Sequence, residues 1–181
     1  MVIDDFEGGR KYSVIYADPP WSYHDKALAG GRGAACKYPV MSQEDLCSLP
    51  VGSLSDDDCA LFLWVTMPKL NECFEVISAW GFEYKTAAFV WVKRNKKAPS
   101  WFWGMGRWTR ANAEVCLLAT KGKPKRVSAS IHSVVDSPVE AHSKKPDIVR
   151  DKIVGLMGDV PRIELFARNH ADGWDAWGNE L

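Results

Sequence analysis

Five short segments of this 181-residue chain are almost wholly apolar, and their spacing leaves few folds open. Residues 12–17 (YSVIYA), 60–65 (ALFLWV), 87–92 (AAFVWV), 115–119 (VCLLA) and 163–167 (IELFA) read as strands. Near-continuous apolar runs of this length belong to strands covered on both faces rather than to sheets with one wet side. Helical signals lie between them. Ser42 is an N-cap for a helix reaching Leu49, with Asp45 three residues on. Thr66 caps a second helix with Pro68 in its first turn. Its inner face is expected to carry Leu70, Cys73, Phe74 and Ile77, and Gly81 ends it. Pro146 opens a third, which turns Val149, Ile153, Leu156 and Met157 inward and stops at Gly158. Gly30-Gly31 with Gly33 mark a loop, and Asp56-Asp57-Asp58 a turn. Strands alternating with helices predict an α/β fold, a mostly parallel sheet with helices on both faces. Residues 1–181 show no repeat or linker and read as a single domain. Ligands of such sheets sit beyond the carboxyl ends of the strands. Asp18 and Arg168 each directly follow a predicted strand and belong at that edge.

Several function classes drop out on composition. No apolar run reaches the ~18 residues that span a bilayer, and the acidic start (Met1-Val2-Ile3-Asp4-Asp5) is not a secretory signal. A cytoplasmic location without membrane contact is expected. Five cysteines (Cys36, Cys47, Cys59, Cys73, Cys116) include no C-x-x-C pair, so they read as buried free thiols with no metal site. Net charge is zero but unevenly placed. Ten cations (Lys93, Arg94, Lys96, Lys97, Arg107, Arg110, Lys121, Lys123, Lys125, Arg126) face one anion, Glu114, giving +9 across residues 93–126 and −9 elsewhere. Such a stretch is either a solvated surface or a track for a phosphate backbone.

The sharpest local signal is Asp18-Pro19-Pro20-Trp21. The exocyclic amine of adenine is a poor nucleophile because its lone pair is delocalised into the ring. A carboxylate and a backbone carbonyl, both accepting from the amine, hold it and favour a pyramidal nitrogen. Prolines fix the turn and add no competing N–H, and an adjacent aromatic can stack on a base drawn from its helix. Asp18, the carbonyl of Pro19 or Pro20, and Trp21 supply each part. A strand ending in a Pro-Pro turn with a packed tryptophan is the plainer alternative.

Further motifs extend the pattern in order. They are Tyr38 with Met41, Leu61-Phe62-Leu63-Trp64-Val65-Thr66, Trp80-Gly81-Phe82, Trp91-Val92-Lys93, Gly104 with Gly106, Glu114, His142-Ser143-Lys144-Lys145-Pro146-Asp147, and Glu164-Leu165-Phe166-Ala167-Arg168. Together they resemble the DPPW family of S-adenosylmethionine-dependent adenine N(6)-methyltransferases, over nearly the whole chain. That family includes the catalytic subunit of the messenger-RNA adenosine methyltransferase and bacterial and phage DNA adenine methyltransferases. The resemblance implies a Rossmann-like methyltransferase fold with permuted motif order, the amine-binding motif preceding the cofactor strand. It implies methyl transfer from S-adenosylmethionine to adenine in nucleic acid, DNA being favoured over RNA, in a bacterial or phage-infected cell. Asp18 would hold the amine and border the cofactor; Trp21 and Tyr38 would contact the adenine, with Trp64 and Glu114 near the pocket. Lys145 would reach the cofactor carboxylate or the substrate. Arg168, His170, Asn179 and Glu180 would line the methionine and ribose of the cofactor. Ala171 departs from relatives that carry a polar residue there.

The loop 93–112 interleaves Trp101, Phe102, Trp103 and Trp108 with cations. Aromatics among cations suit a single strand or a flipped base, and also a homo- or heterodimer interface, where tryptophan and arginine are favoured. Lys93, Lys96, Lys97, Trp101, Trp103 and Arg110 are therefore candidate substrate contacts. Three other functions stay in view: a non-catalytic nucleic-acid-binding partner subunit, a cytosine methyltransferase, and a plain single-strand binder. The intact Asp18 turn speaks against the first two, and the Lys145 and Arg168 segments against the last.

Overall fold

The computed structural model describes residues 9–22, 40–106, 108–140, 144–179 and 181. A seven-stranded sheet forms their centre: β1 (Tyr12–Ala17), β2 (Ser55–Val65), β3 (Glu83–Arg94), β4 (Glu114–Lys121), β5 (Val134–Pro138), β6 (Arg162–Leu165) and β7 (Asp175–Trp177). The spatial order is β5-β3-β4-β2-β1-β6-β7. β1 pairs parallel with β2 and β6, β6 with β7, and β3 with β5. Only β4 runs against its neighbours β2 and β3. The sheet is therefore mostly parallel, with one reversed strand inserted between β2 and β3.

Among the described residues four α-helices cover it: α1 (Gln43–Ser48), α2 (Val51–Leu54), α3 (Leu70–Ala79) and α4 (Ile148–Met157). Alternate residues of the central strands feed two cores. Ile15, Leu61, Leu63 and Leu117 pack with Leu46, Val51, Val76, Ile77 and Trp80 from α1, α2, α3 and its end. Val14, Phe62, Trp64 and Cys116 pack with Val149, Ile153 and Met157 of α4 on the opposite face. Burial on both faces is why these strands carry no polar alternation. Helices on both faces and a mostly parallel sheet are what the sequence predicts.

Local details follow the sequence in places and depart from it in others. Ser42 caps α1 in a full capping box with Asp45. Gly81 takes φ 82° after α3 and Gly158 φ 85° after α4, the left-handed region that glycine enters without a Cβ clash. Thr66 leads into a 3₁₀ turn (Met67–Lys69) before α3 and makes no side-chain cap. Phe74, expected on the inner face, is instead exposed and edge-on to Tyr84 at 5.1 Å, and Val76, not among the expected inner residues, is buried with Cys73 and Ile77. Asp56-Asp57-Asp58 is not a turn but the exposed beginning of β2. β5 and β7 lie outside the expected strands. Cys59, Cys73 and Cys116 are buried free thiols, Cys47 is free and half-buried, and Cys36 lies outside the described residues. Among the described residues no helix is long and apolar enough to cross a membrane, and no His/Cys/Asp/Glu group suits a metal ion.

Candidate active site

The carboxyl ends of β1, β2, β3 and β6 share one edge of the sheet, and the reversed β4 begins there. Parallel pairing aligns Ala17 with Leu63 and Leu165, and antiparallel pairing sets Trp91 against Glu114. The residues that follow these ends, Asp18, Thr66, Arg168 and the start of β4, are thereby gathered from distant parts of the sequence.

Asp18 leaves β1 into the Pro19-Pro20 turn. The Trp21 amide donates back to the Pro19 carbonyl at 2.9 Å, and the Met41 amide donates to the Pro20 carbonyl at 2.9 Å. Each carbonyl keeps a second lone pair. Trp21 itself is 5% exposed, and its indole N–H donates to the Trp64 carbonyl at 3.1 Å. The expectation that Trp21 offers an open face to a base is corrected here: its ring belongs to the apolar core and braces the turn against β2. Trp64 is fully buried, and its N–H donates to the Tyr16 hydroxyl at 2.7 Å.

Four charged side chains of alternating sign form a row across this edge. Lys145 Nζ lies 2.7 Å from Asp18 Oδ2 and 3.3 Å from Glu114 Oε2, above the Trp64 ring at 5.6 Å. The other oxygen of Glu114, Oε1, is bonded by Lys93. Burial pushes the Asp18 carboxyl above its ordinary pKa, past the opposing pull of Lys145. Burial likewise works against the charge on Glu114, yet Lys145 and Lys93 hold its pKa below the usual value. Lys145 is also buried, but Asp18 and Glu114 raise its pKa and keep it an ammonium. The expected phosphate contact at Lys93 is therefore revised: its ammonium is turned inward onto a carboxylate.

A cleft opens beside Asp18, lined by Tyr16, Lys145, Arg150, Glu164, Phe166 and Arg168. Arg150 spans its wall, donating from Nε to Glu164 at 2.7 Å and from a terminal nitrogen to Asp147 at 2.6 Å. Phe166 leaves β6 at φ 61°, a left-handed conformation that is strained for a bulky residue. That kink brings the Ala167 amide to the Trp177 carbonyl at 2.9 Å and sets the Phe166 ring edge-on to Trp177 at 5.4 Å. The tail is thus woven into the sheet as β7 and passes the outlet of β6.

Of the expected cofactor contacts, Asp18, Lys145 and Arg168 line the cleft together. His170 and Asn179 are exposed on the segment that follows β6 and β7. Tyr38 and Glu180 lie outside the described residues. Lys96, Lys97, Trp101, Trp103 and Arg110 are exposed on the loop between β3 and β4. Asn112 pins the base of that loop: its carbonyl oxygen accepts from the Lys93 amide at 2.9 Å, and its amide donates to the Lys93 carbonyl at 2.9 Å. Tyr16, Arg150 and Glu164 were not foreseen. In sequence they are ordinary polar breaks inside a strand and a helix; only parallel pairing of Tyr16 with Glu164 sets them side by side.

The MT-A70 family model matches residues 12–180. Type II methyltransferase M.MunI of Mycoplasma sp is 37% identical over 190 residues, covering 95% of this chain and 78% of that protein. The N(6)-adenosine-methyltransferase MT-A70-like protein of Drosophila melanogaster is 32% identical, covering 94% of this chain and 27% of its own length. The human N(6)-adenosine-methyltransferase catalytic subunit METTL3 is 31% identical, with 94% and 28% covered. The chain thus spans most of the first relative and about a quarter of the others.

Proposed function

The chain belongs to the MT-A70 family of methyltransferases, and on that premise we propose that its sheet-edge cluster methylates the exocyclic amine of adenine in nucleic acid, with S-adenosylmethionine as donor and DNA as the favoured substrate. The observation that carries the reading is Asp18 held at 2.7 Å by Lys145 at the mouth of the cleft. With Oδ2 on Lys145, Oδ1 is the oxygen that takes an amine hydrogen. The second lone pair of the Pro19 carbonyl takes the other hydrogen, because its existing bond is only the bent one of a three-residue turn. Two acceptors on one amine draw the nitrogen toward pyramidal geometry and expose its lone pair. S-adenosylmethionine, when bound, would supply an electrophilic methyl group on a sulfonium, with the thioether as leaving group.

The donor set fits that cofactor. Arg168 offers permanent donors to a carboxylate, and Asp18 offers an acceptor to an ammonium or sulfonium neighbourhood. Asn179, which follows β7, takes the ribose hydroxyls in this reading. The proton lost from the methylated amine passes to Asp18 and on to solvent. The exposed loop of Lys96, Lys97, Trp101, Trp103 and Arg110 holds the nucleic acid.

DNA is favoured because the higher identity, over 78% of its length, is to a Type II methyltransferase. RNA is the second reading, favoured by the relatives named N(6)-adenosine-methyltransferases. One experiment decides: the protein is incubated with S-adenosylmethionine and with DNA or RNA, single- and double-stranded, and the digested nucleosides are measured by mass spectrometry. N(6)-methyldeoxyadenosine is expected. Methylated adenosine from RNA alone moves the substrate to RNA, and methylated cytosine or no product overturns the reading.

A further inference from the structure

Lys93 stands apart among the cations of residues 93–126. Its neighbours on the loop are exposed, whereas its side chain is 14% exposed and points back into the sheet edge. Three elements enclose the ammonium. Trp91 of β3 lies beneath it, with the ring centre 4.9 Å away; Phe102 of the loop lies over it at 6.0 Å; Glu114 of β4 meets it directly. Its backbone is fixed as tightly. Asn112 bonds both its amide and its carbonyl, and the Phe102 amide donates to the same carbonyl at 2.9 Å. A long, flexible lysine immobilised in this way has no reach to a phosphate.

Glu114 divides its two oxygens, Oε1 to Lys93 and Oε2 to Lys145, and Lys145 in turn holds Asp18. Without Lys93, both oxygens of Glu114 would be free to draw Lys145 across, away from Asp18. We propose that Lys93 is a positioning residue for methyl transfer: by occupying one oxygen of Glu114 beneath Phe102, it leaves Lys145 seated on Asp18. This inference rests on the proposed function for its kinetic consequence, but the geometry it describes belongs to the protein alone. Phe102 and Asn112 extend the same support into the loop between β3 and β4. The base of the loop is thus mechanically continuous with the row of charges.

The test is Lys93→Met, which keeps the stem between Trp91 and Phe102 and removes the charge. The groups facing Asp18 are Lys145, Glu114 and Arg168, with Tyr16, Cys116 and Glu164 behind. Losing Lys93 adds unbalanced negative charge to this set and loosens Lys145, so the Asp18 carboxyl should titrate higher than in the wild type. Carboxyl-carbon NMR on the protein without cofactor reads this directly. In turnover, kcat should fall about tenfold or more with KM for DNA little changed, as for a displaced reacting group. The salt dependence of DNA binding should match wild type. Lys93→Arg, which retains the charge, should return both titration and kcat toward wild type. Should Lys93→Met fail to fold, Lys93→Gln reads the same titration. An unmoved Asp18 titration overturns the proposal, most clearly if DNA binding weakens and its salt slope flattens, since Lys93 would then be a phosphate contact. A wild-type protein that methylates no nucleic acid would remove the proposed function instead, and the titration would still decide the role of Lys93.

Discussion

Asp18 stands in a place that resists ionisation. Its folded pKa is raised by burial, so the folded chain takes up its proton more readily than the unfolded chain does. The carboxylate therefore costs stability at neutral pH, and that cost disappears as pH falls through the raised value. Glu114 runs the other way: its lowered pKa gives stability present above the ordinary glutamate value and lost as pH falls through the lowered one. Lys145, raised by its two carboxylates, contributes below the ordinary lysine value and loses that contribution as pH rises through its folded one. A group kept charged against its own stability is expected where chemistry needs it. Asp18→Asn should then cut methyl transfer by about a hundredfold or more, since it turns an acceptor into a donor. Its thermal midpoint at neutral pH should hold or rise, and S-adenosylmethionine binding by calorimetry should stay within a few fold. In the wild type the rate should decline on the acid side as Asp18 protonates, at a pH above the ordinary aspartate value. A variant that methylates at more than about a tenth of the wild-type rate would remove Asp18 from the reaction.

At the level of elements, the central strands were legible because burial on both faces leaves a continuous apolar run, and few other structures use one. The edge strands were not. β5 (VVDSP) is short and mostly exposed, and β7 (DAW) has three half-buried residues, so neither carries a period long enough to see. β2 carries three aspartates after its first residue, Ser55, because positions 56–58 project into solvent before the sheet closes over the strand. The candidate site divides in the same way. The turn at Asp18 was legible because its residue types are themselves the chemistry, Arg168 because it follows a strand that the apolar pattern shows, and Lys145 entered through the family resemblance. The inward turn of Lys93 was not legible, since a lysine in a basic stretch looks like every other; only the pairing of β3 with β4 sets it against Glu114. The tail offers a test at this scale. A Cβ on Gly178 would meet the Ala167 carbonyl oxygen at 2.0 Å, so β7 can pass the β6 outlet only with glycine there. Gly178→Ala should destabilise the fold by about 1–3 kcal/mol. It should also weaken S-adenosylmethionine binding, because Arg168 and Asn179 flank the displaced contact. Thermal unfolding with and without S-adenosylmethionine measures both effects; an unchanged ligand-induced shift would take the tail out of the cofactor site.

For the whole molecule, charge is segregated rather than absent. The +9 of residues 93–126 is balanced by −9 elsewhere, and its exposed cations divide between the loop before β4, with Lys96, Lys97 and Arg110, and the far end of β4, with Lys123, Lys125 and Arg126. Not all of that positive charge is available. Lys93 is spent on Glu114, and Arg94 is bonded to Asp136 at 2.6 and 2.7 Å while stacked on Trp101 at 4.0 Å. Lys96, Lys97 and Arg110 remain exposed around the aromatic loop, with Trp103 59% and Trp108 93% exposed. Replacing those three cations with alanine should weaken DNA binding across sequences and reduce the slope of log affinity against log salt by up to about 2–3, since each neutralised phosphate releases close to one counterion. Trp103→Ala and Trp108→Ala should lower affinity with little change of slope, because stacking of about 1–3 kcal/mol per base releases few ions. The same tryptophans would serve a second subunit equally well as apolar anchors. In that case both tryptophan variants would sediment as smaller species than wild type, and their effect on DNA would follow only from the lost assembly. Binding isotherms at several salt concentrations, run beside sedimentation on the same variants, separate the two uses of the loop. A triple cation variant whose salt slope matches wild type would show that the nucleic acid takes another path across the molecule.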